Sequence, residues 1–358
     1  MHTSILSFIL ALIFALSVNA HWKAPTHHNG YLNYTTIPGL FLQDSPTTNA
    51  STFNFTASNF GLIPRRYPSD STWPNPSPGA GKPTQWQRLT HHITSLNTHS
   101  PPNVRYALLY LGRHGEGYHN AAEAFYGTPA WNCFWAERDG NGSVVWADAE
   151  ITPTGAQQAL AVNVFWKSLI PEGVPLPQSY YTSPLRRCLE TANLTFGGLE
   201  LPRGREFKPT VKEGFREGIS AHTCDRRGTR TAIREAYPGY GIEAGFTEVD
   251  ELWEKGHAET SGDQDLRSKE VLDEVLGGDG STFVSVTSHS GEIASLLRVL
   301  GHQEFSLSTG AVIPVLVKVT TLKSAPATST YEAFTSVSTC AMAPTVTAAS
   351  CNDCSCCK

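Results

Sequence analysis

Arg113-His114-Gly115-Glu116-Gly117-Tyr118-His119-Asn120 sets a permanent, forked cation beside an imidazole, with Gly112 and Gly115 on either side. Guanidinium suits phosphate, and neutral imidazole is a nucleophile or base near neutral pH. The chemistry these residue types imply is phosphoryl transfer through a histidine. Glycine lets the backbone turn sharply and approach a ligand closely. Alone, Arg-His-Gly reads equally well as a strand-end turn carrying two solvated polar residues.

Three further segments repeat the arrangement. Tyr180-Tyr181-Thr182-Ser183-Pro184-Leu185-Arg186-Arg187 runs from a strand through a turn into a helix, with Ser183 as a candidate cap and Pro184 near the first turn. Thr282 to Gly291 is a β-branched strand that delivers His289 to the start of another helix, where free N–H groups favour anions. Glu213-Gly214-Phe215-Arg216-Glu217-Gly218, continuing to Arg227, offers a carboxylate between glycines after a short strand, placed to act as a proton donor. Taken singly, these read as a capped surface helix, a histidine cap and an exposed loop acid. Bland explanations for all four at once are improbable.

The elements that must position these groups follow from hydrophobic periodicity. Apolar or β-branched runs predict strands over 104–111, 179–182, 210–212, 282–287 and 312–319. Helical patterns predict helices over 85–96, 119–125, 154–169, 185–194, 229–236, 263–276 and 291–300. In the third of these, Ala156, Leu160, Val164, Trp166 and Leu169 are the expected apolar positions. Alternating strands and helices predict an α/β domain over 102–323. In such a sheet the ligand edge lies at the carboxyl ends of the strands, so two histidines, two arginines and an acid should meet there.

With 358 residues, 40% of them hydrophobic, the chain can bury a large core. Its net charge of -5 offers no electrostatic footprint for nucleic acid or anionic membrane. Any anion site must be a local cluster of Arg and His. Residues 4–18 form a short apolar core followed by Val18-Asn19-Ala20, which reads as a signal peptide spanning 1–20, too short to cross a membrane. Asn-x-Ser/Thr acceptors at Asn33, Asn49, Asn54, Asn141 and Asn193 agree with secretion and glycosylation, so the mature chain is expected to have no membrane span.

From 21 to 101 the sequence is rich in Pro, Ser, Thr and Asn but keeps Phe53, Phe55, Phe60, Trp73 and Trp86, so it is expected to wrap onto the core. Residues 324–358 lack core formers and end in a cysteine cluster; they are expected to be disordered. Cys133, Cys188 and Cys224 in the body cannot pair fully among themselves. The terminal cluster reads either as disulfides or, less readily, as a soft-metal site.

Together the four segments resemble the histidine phosphatase superfamily, which includes the cofactor-dependent phosphoglycerate mutases and many phosphatases. The resemblance covers 104 to 319; beyond it, the arm and tail are similar to fungal phosphomutase-like proteins. It implies a three-layer α/β/α sandwich with a mostly parallel central sheet. It assigns the nucleophile to His114, phosphate binding to Arg113, Arg187, His289 and Asn120, and the proton donor to Glu217, with Glu116 as the competing carboxylate. His289-Ser290 in place of His-Asp, and the lack of Arg-x-Pro after Gly115, point to the mutase-like branch. The implied reaction is hydrolysis of a small phosphomonoester through a phosphohistidine, without metal or cofactor, with protonated His289 among the charges that neutralise the phosphate. A phosphomutase, or a secreted binding protein that keeps the fold, is the alternative. Substrate choice is expected to lie in the arm and in the insertion over 125–146.

Overall fold

The computed structural model describes residues 30–73, 82–324 and 330–344 together with Cys354, Ser355 and Cys357. In chain order the elements are β1 (Tyr31–Thr36), α1 (Gln85–His99), β2 (Val104–Arg113), α2 (Tyr118–Tyr126), α3 (Thr128–Cys133), α4 (Pro153–Leu169), β3 (Ser179–Thr182), α5 (Arg186–Phe196), β4 (Thr210–Val211), α6 (Arg230–Ala236), β5 (Gly241–Ile242), β6 (His257–Ala258), α7 (Ser261–Gly278), β7 (Phe283–Ser288), α8 (Ser290–Val299), β8 (Val312–Leu322) and β9 (Thr335–Ser336). Seven strands form one sheet in the order β1-β8-β2-β7-β3-β4-β5. From β2 to β5 every pairing is parallel, while β8 and then β1 add antiparallel at the other edge.

Alternation along each strand divides the core in two, because successive side chains leave opposite faces of a sheet. Leu109 and Leu111 of β2, with Ile313, Val315 and Val317 of β8, face α7 and α8 through Val271, Val275, Ile293 and Leu297. Leu108 and Tyr110 face the other way, toward Trp86, Leu89 and Ile93 of α1 and Val162, Trp166 and Leu169 of α4. Helices cover both faces, as a parallel sheet requires. The fold is the three-layer α/β/α sandwich expected. Each fully buried Leu or Ile here contributes about 1.5–3 kcal/mol relative to exposure.

Three expectations change. Helix α4 buries Ala159, Val162, Asn163 and Trp166, whereas Leu160 and Val164 are exposed. Trp166 and Leu169 are buried as expected, but apolar residues lie all round this helix, so periodicity misplaced its first half. The arm contributes an edge strand, β1, which composition concealed; its buried residues alternate, and Phe60 packs 4.8 Å from Phe165 and 5.0 Å from Trp166. The tail is tied to the body: Cys133 pairs with Cys354 and Cys340 with Cys357, β9 pairs with β6, and Cys188 and Cys224 remain free thiols. Residues 1–29 and the tail cysteines Cys351 and Cys356 lie outside the described residues. Among the described residues no helix is long and apolar enough to cross a membrane.

Candidate active site

Parallel register brings the four sequence segments to one edge. Arg113 pairs with Ser288 at the ends of β2 and β7, and Thr182 pairs with both Thr287 and Val211. Just past those ends the His114 N–H donates to the Ser288 carbonyl at 3.0 Å and the Ser183 N–H to the Thr287 carbonyl at 3.0 Å. The His114 and His289 rings therefore stand 5.1 Å apart between centroids, both fully buried.

Protonation follows from the partners. His114 Nδ1 lies 2.7 Å from the Gly115 carbonyl, which can only accept, so Nδ1 carries the proton and Nε2 keeps its lone pair. Burial, and then Arg187 and Arg113, hold the His114 pKa well below the ordinary histidine value. The ring is neutral with Nε2 available.

His289 differs from expectation. The Arg187 Nε–H donates to its Nδ1 at 3.1 Å, and guanidinium cannot accept, so that nitrogen is unprotonated. The other nitrogen, Nε2, lies 2.8 Å from the Ser183 hydroxyl and 3.3 Å from the Cys188 thiol. Burial and Arg187 depress the pKa as well. His289 is thus a neutral ring held by Arg187 and Ser183, not an imidazolium. The Ser183 hydroxyl serves His289 and also accepts from the Leu185 N–H at 3.3 Å; α5 starts at Arg186 and has no side-chain cap.

Arg187 is fully buried and also donates to the Cys224 carbonyl at 2.6 Å and to Asp225 at 3.3 Å. Asp225 escaped sequence reasoning, because nothing local links it to residue 187. Arg186, next in sequence, turns outward to Glu150. Arg113 donates to the Leu307 carbonyl at 2.7 Å, while its Nε is buried without a partner among the described residues.

Glu217 sits at the amino end of α8, from which α6, β5, β6, α7 and β7 separate it in sequence. Its carboxylate accepts from the N–H groups of Gly218 at 3.0 Å, Gly291 at 3.3 Å and Glu292 at 3.0 Å. A Cβ on Gly291 would stand 2.4 Å from Glu217 Oε1, so glycine is what lets the carboxylate reach that helix. Burial, and then the charge of Asp225, raise the Glu217 pKa against the pull of those N–H groups. A half-buried carboxyl with a raised pKa beside two guanidiniums can hold and return a proton. Glu116 instead accepts from the Thr152 hydroxyl at 2.7 Å, at the start of α4. That bond ties Glu116 to the first turn of α4, whereas Glu217 is tied to α8.

Asn120 caps α2 with its side-chain oxygen, which accepts from the Gly117 N–H at 3.0 Å. Gly115 approaches the Gly155 backbone rather than a ligand: a Cβ there would lie 2.4 Å from the Gly155 carbonyl.

Sequence reasoning passed over His119. Its ring stands 5.4 Å from that of His114, and its Nδ1 is buried with no partner among the described residues. The signal available was position, since a residue in the first turn of the helix after a strand-end loop faces the same sheet edge. His222, Cys224 and Asp225 bring three possible metal-ligand atoms within 4.8 Å of one another, but a cation there would compete with Arg187 for Asp225.

With this geometry in place, comparisons with known proteins agree. Residues 109–324 match the family model of the histidine phosphatase superfamily (branch 1). The chain is 48% identical over 295 residues to a probable phosphoglycerate mutase of Arthroderma benhamiae, covering 82% of this chain and 87% of that protein. It is 37% identical to the probable phosphoglycerate mutase PMU1 of Saccharomyces cerevisiae, over 65% of this chain and 84% of that one. Among solved structures it is similar to the ecdysone phosphate phosphatase of Bombix mori, at 18% identity and a TM-score of 0.37, over 63% of this chain and 96% of that one.

Proposed function

Because the chain belongs to the histidine phosphatase superfamily (branch 1), we propose that it hydrolyses a small phosphomonoester through a phosphohistidine on His114. One observation carries this reading: a buried neutral His114, its proton fixed on Nδ1 by the Gly115 carbonyl, stands beside Arg113 and Arg187. The guanidiniums neutralise the phosphoryl oxygens, which lets Nε2 approach phosphorus; preorganised charge of this kind is usually the largest catalytic contribution. The N–P bond forms as the P–O ester bond breaks, and the leaving oxygen takes the Glu217 proton. Water then attacks phosphorus, Glu217 recovers a proton from it, and the N–P bond breaks to release inorganic phosphate. The Nδ1–H bond to Gly115 stabilises the phosphoimidazolium in between.

The names of the fungal relatives favour a second reading, phosphate transfer within a phosphoglycerate. That substrate carries a carboxylate beside its phosphate and calls for further cations. Arginines on the neighbouring segments are already held: Arg186 by Glu150, Arg216 by Asp250, Arg226 by Asp139, Arg227 by Glu213, and Arg267 by Glu259. This supports hydrolysis. Secretion belongs to the same proposal, supported by the exposure of Asn33, Asn49, Asn54, Asn141 and Asn193.

The test is single-turnover reaction with labelled p-nitrophenyl phosphate, in the presence of chelator. Wild type should release nitrophenolate and hold an acid-labile phosphoryl group; His114→Ala should do neither. Turnover that survives this substitution, or that chelator abolishes, refutes the mechanism. Phosphorus NMR with 3-phosphoglycerate separates the two readings, since a mutase yields an isomeric ester and a phosphatase yields inorganic phosphate. A glycosidase-induced mobility shift of protein from culture supernatant tests secretion; an unshifted intracellular band refutes it.

A further inference from the structure

We propose that Asp225 is a positioning residue that holds the Arg187 guanidinium in the orientation that receives the phosphoryl group. The proposal rests on the phosphatase reading and adds a group that the reading does not use.

The helix that carries Arg187 does not by itself fix its charged end, because a side chain of this length has many rotamers. Its acceptors do. The Nε–H donates to His289 Nδ1 at 3.1 Å, Nη1 to the Cys224 carbonyl at 2.6 Å, and Nη2 to the Asp225 carboxylate at 3.3 Å. A contact on each nitrogen of a flat group sets its plane as well as its place. Three of the five N–H groups of the guanidinium are held in this way, which leaves two for phosphoryl oxygens. Of the three acceptors only Asp225 is charged, and a charge-assisted bond is roughly twice as strong as a neutral one. The pair is almost wholly buried, with the side chains 1% and 6% exposed, so water competes little for either partner.

Asp225 is itself held from several sides. It closes a short 3₁₀ turn, Thr223–Asp225. One carboxylate oxygen takes Arg187, while the other accepts from the Ser220 hydroxyl at 2.6 Å. Its carbonyl accepts from Arg216, which pairs with Asp250 at 2.6 Å. The Thr223 hydroxyl donates to the Arg138 carbonyl at 2.7 Å, and the Trp253 indole N–H to the His222 carbonyl at 3.0 Å. A counter-ion that only balanced charge would need none of this support. A carboxylate fixed on both oxygens can transmit its position to the guanidinium, and preorganised donors need no rearrangement when charge develops on the transferring group.

The experiment is a double-mutant cycle between Asp225→Asn, which keeps the shape and removes the charge, and Arg187→Gln. The readout is the nitrophenolate burst from p-nitrophenyl phosphate in single turnover. That leaving group departs without a proton, so the electrostatic effect of Asp225 on Glu217 does not enter. Losing an oxyanion donor outright costs about 10²–10³-fold, and Asp225→Asn, which only loosens one, should cost about 10–10²-fold. In the Arg187→Gln background the same change should cost less than about threefold, because two residues that act as one unit are not additive. Ser220→Ala removes only the support of the second oxygen and should cost about threefold to tenfold in the wild-type background, again with less than about threefold beside Arg187→Gln. It is the variant to rely on if Asp225→Asn does not fold, which a urea titration of each protein establishes. The assignment is overturned if Asp225→Asn, or in its place Ser220→Ala, leaves the burst rate within about threefold of wild type. It is also overturned if the loss is as large beside Arg187→Gln as alone, since a general structural effect would be felt in both backgrounds. Failure of wild type to give any burst refutes the phosphatase reading, and this assignment with it.

Discussion

Replacing Glu217 by Gln separates proton donation from electrostatics. The carboxylate accepts three backbone N–H groups, two of them at the start of α8. An amide of the same shape has one oxygen to accept and an NH₂ that faces a donor. Losing a charge-assisted acceptor there should cost about 1–3 kcal/mol of folding stability, with about 0.3–1 kcal/mol of that from the helix dipole. Rate should respond according to the leaving group. An alkyl phosphate, whose alkoxide needs a proton, should lose about 10²–10⁴-fold, or roughly 3–5 kcal/mol of barrier. A p-nitrophenyl ester, whose phenolate departs unprotonated, should keep its rate of phosphorylation within about tenfold. The pH profile gives the second readout. Activity requires Glu217 protonated, so the rate falls as pH rises through its raised pKa; it requires His114 unprotonated, so the rate falls as pH drops through its depressed one. Glu217→Gln should erase the alkaline limb and leave the acid limb in place. Stopped-flow phosphorylation and urea unfolding measure both effects. An equal loss on the two esters, or an alkaline limb that persists, refutes Glu217 as the donor.

Other outcomes follow from the same geometry. Gly291→Ala places a methyl 2.4 Å from Glu217 Oε1 and should mimic the leaving-group dependence of Glu217→Gln, read as the ratio of alkyl to aryl rates. Arg267 donates to the carbonyls of Gly214, Arg216 and Glu217 and pairs with Glu259 and Glu292, so Arg267→Met strands two buried carboxylates and should destabilise by about 3–5 kcal/mol in urea titration. His114, His119 and His289 are buried neutral with depressed pKa values. Below about pH 6.5 the unfolded chain binds protons that these folded rings do not, so stability falls with pH by up to about 1.4 kcal/mol per unit for each ring. His119→Asn should lower that slope by the share of one histidine; an unchanged slope would show that the ring is protonated in the folded state.

Local chemistry in the sequence determined the strands that end at Arg113 and Ser288, the helices that follow them, and the placing of His114, His289 and the Arg186-Arg187 pair at one sheet edge, while the family resemblance singled out Arg187. Each of those inferences uses a period, a cap or a turn that lies within about ten residues of the group concerned. The stripe that α4 buries was not legible, because a helix apolar all round takes its orientation from its neighbours. Nor was β1, whose partner strand, β8, lies nearly three hundred residues away.

At the site, only tertiary structure shows the hydrogen bonds that hold His289 neutral, the seating of Glu217 and Glu116 on different helices, and the nearness of His119 to His114. The donor that fixes His289 as neutral is Arg187, and the N–H groups that seat Glu217 belong to α8. Thr152, which ties Glu116 to α4, is 36 residues along the chain. Hydrogen bonding and desolvation depend on what stands within a few ångströms in space, and sequence order does not record that distance.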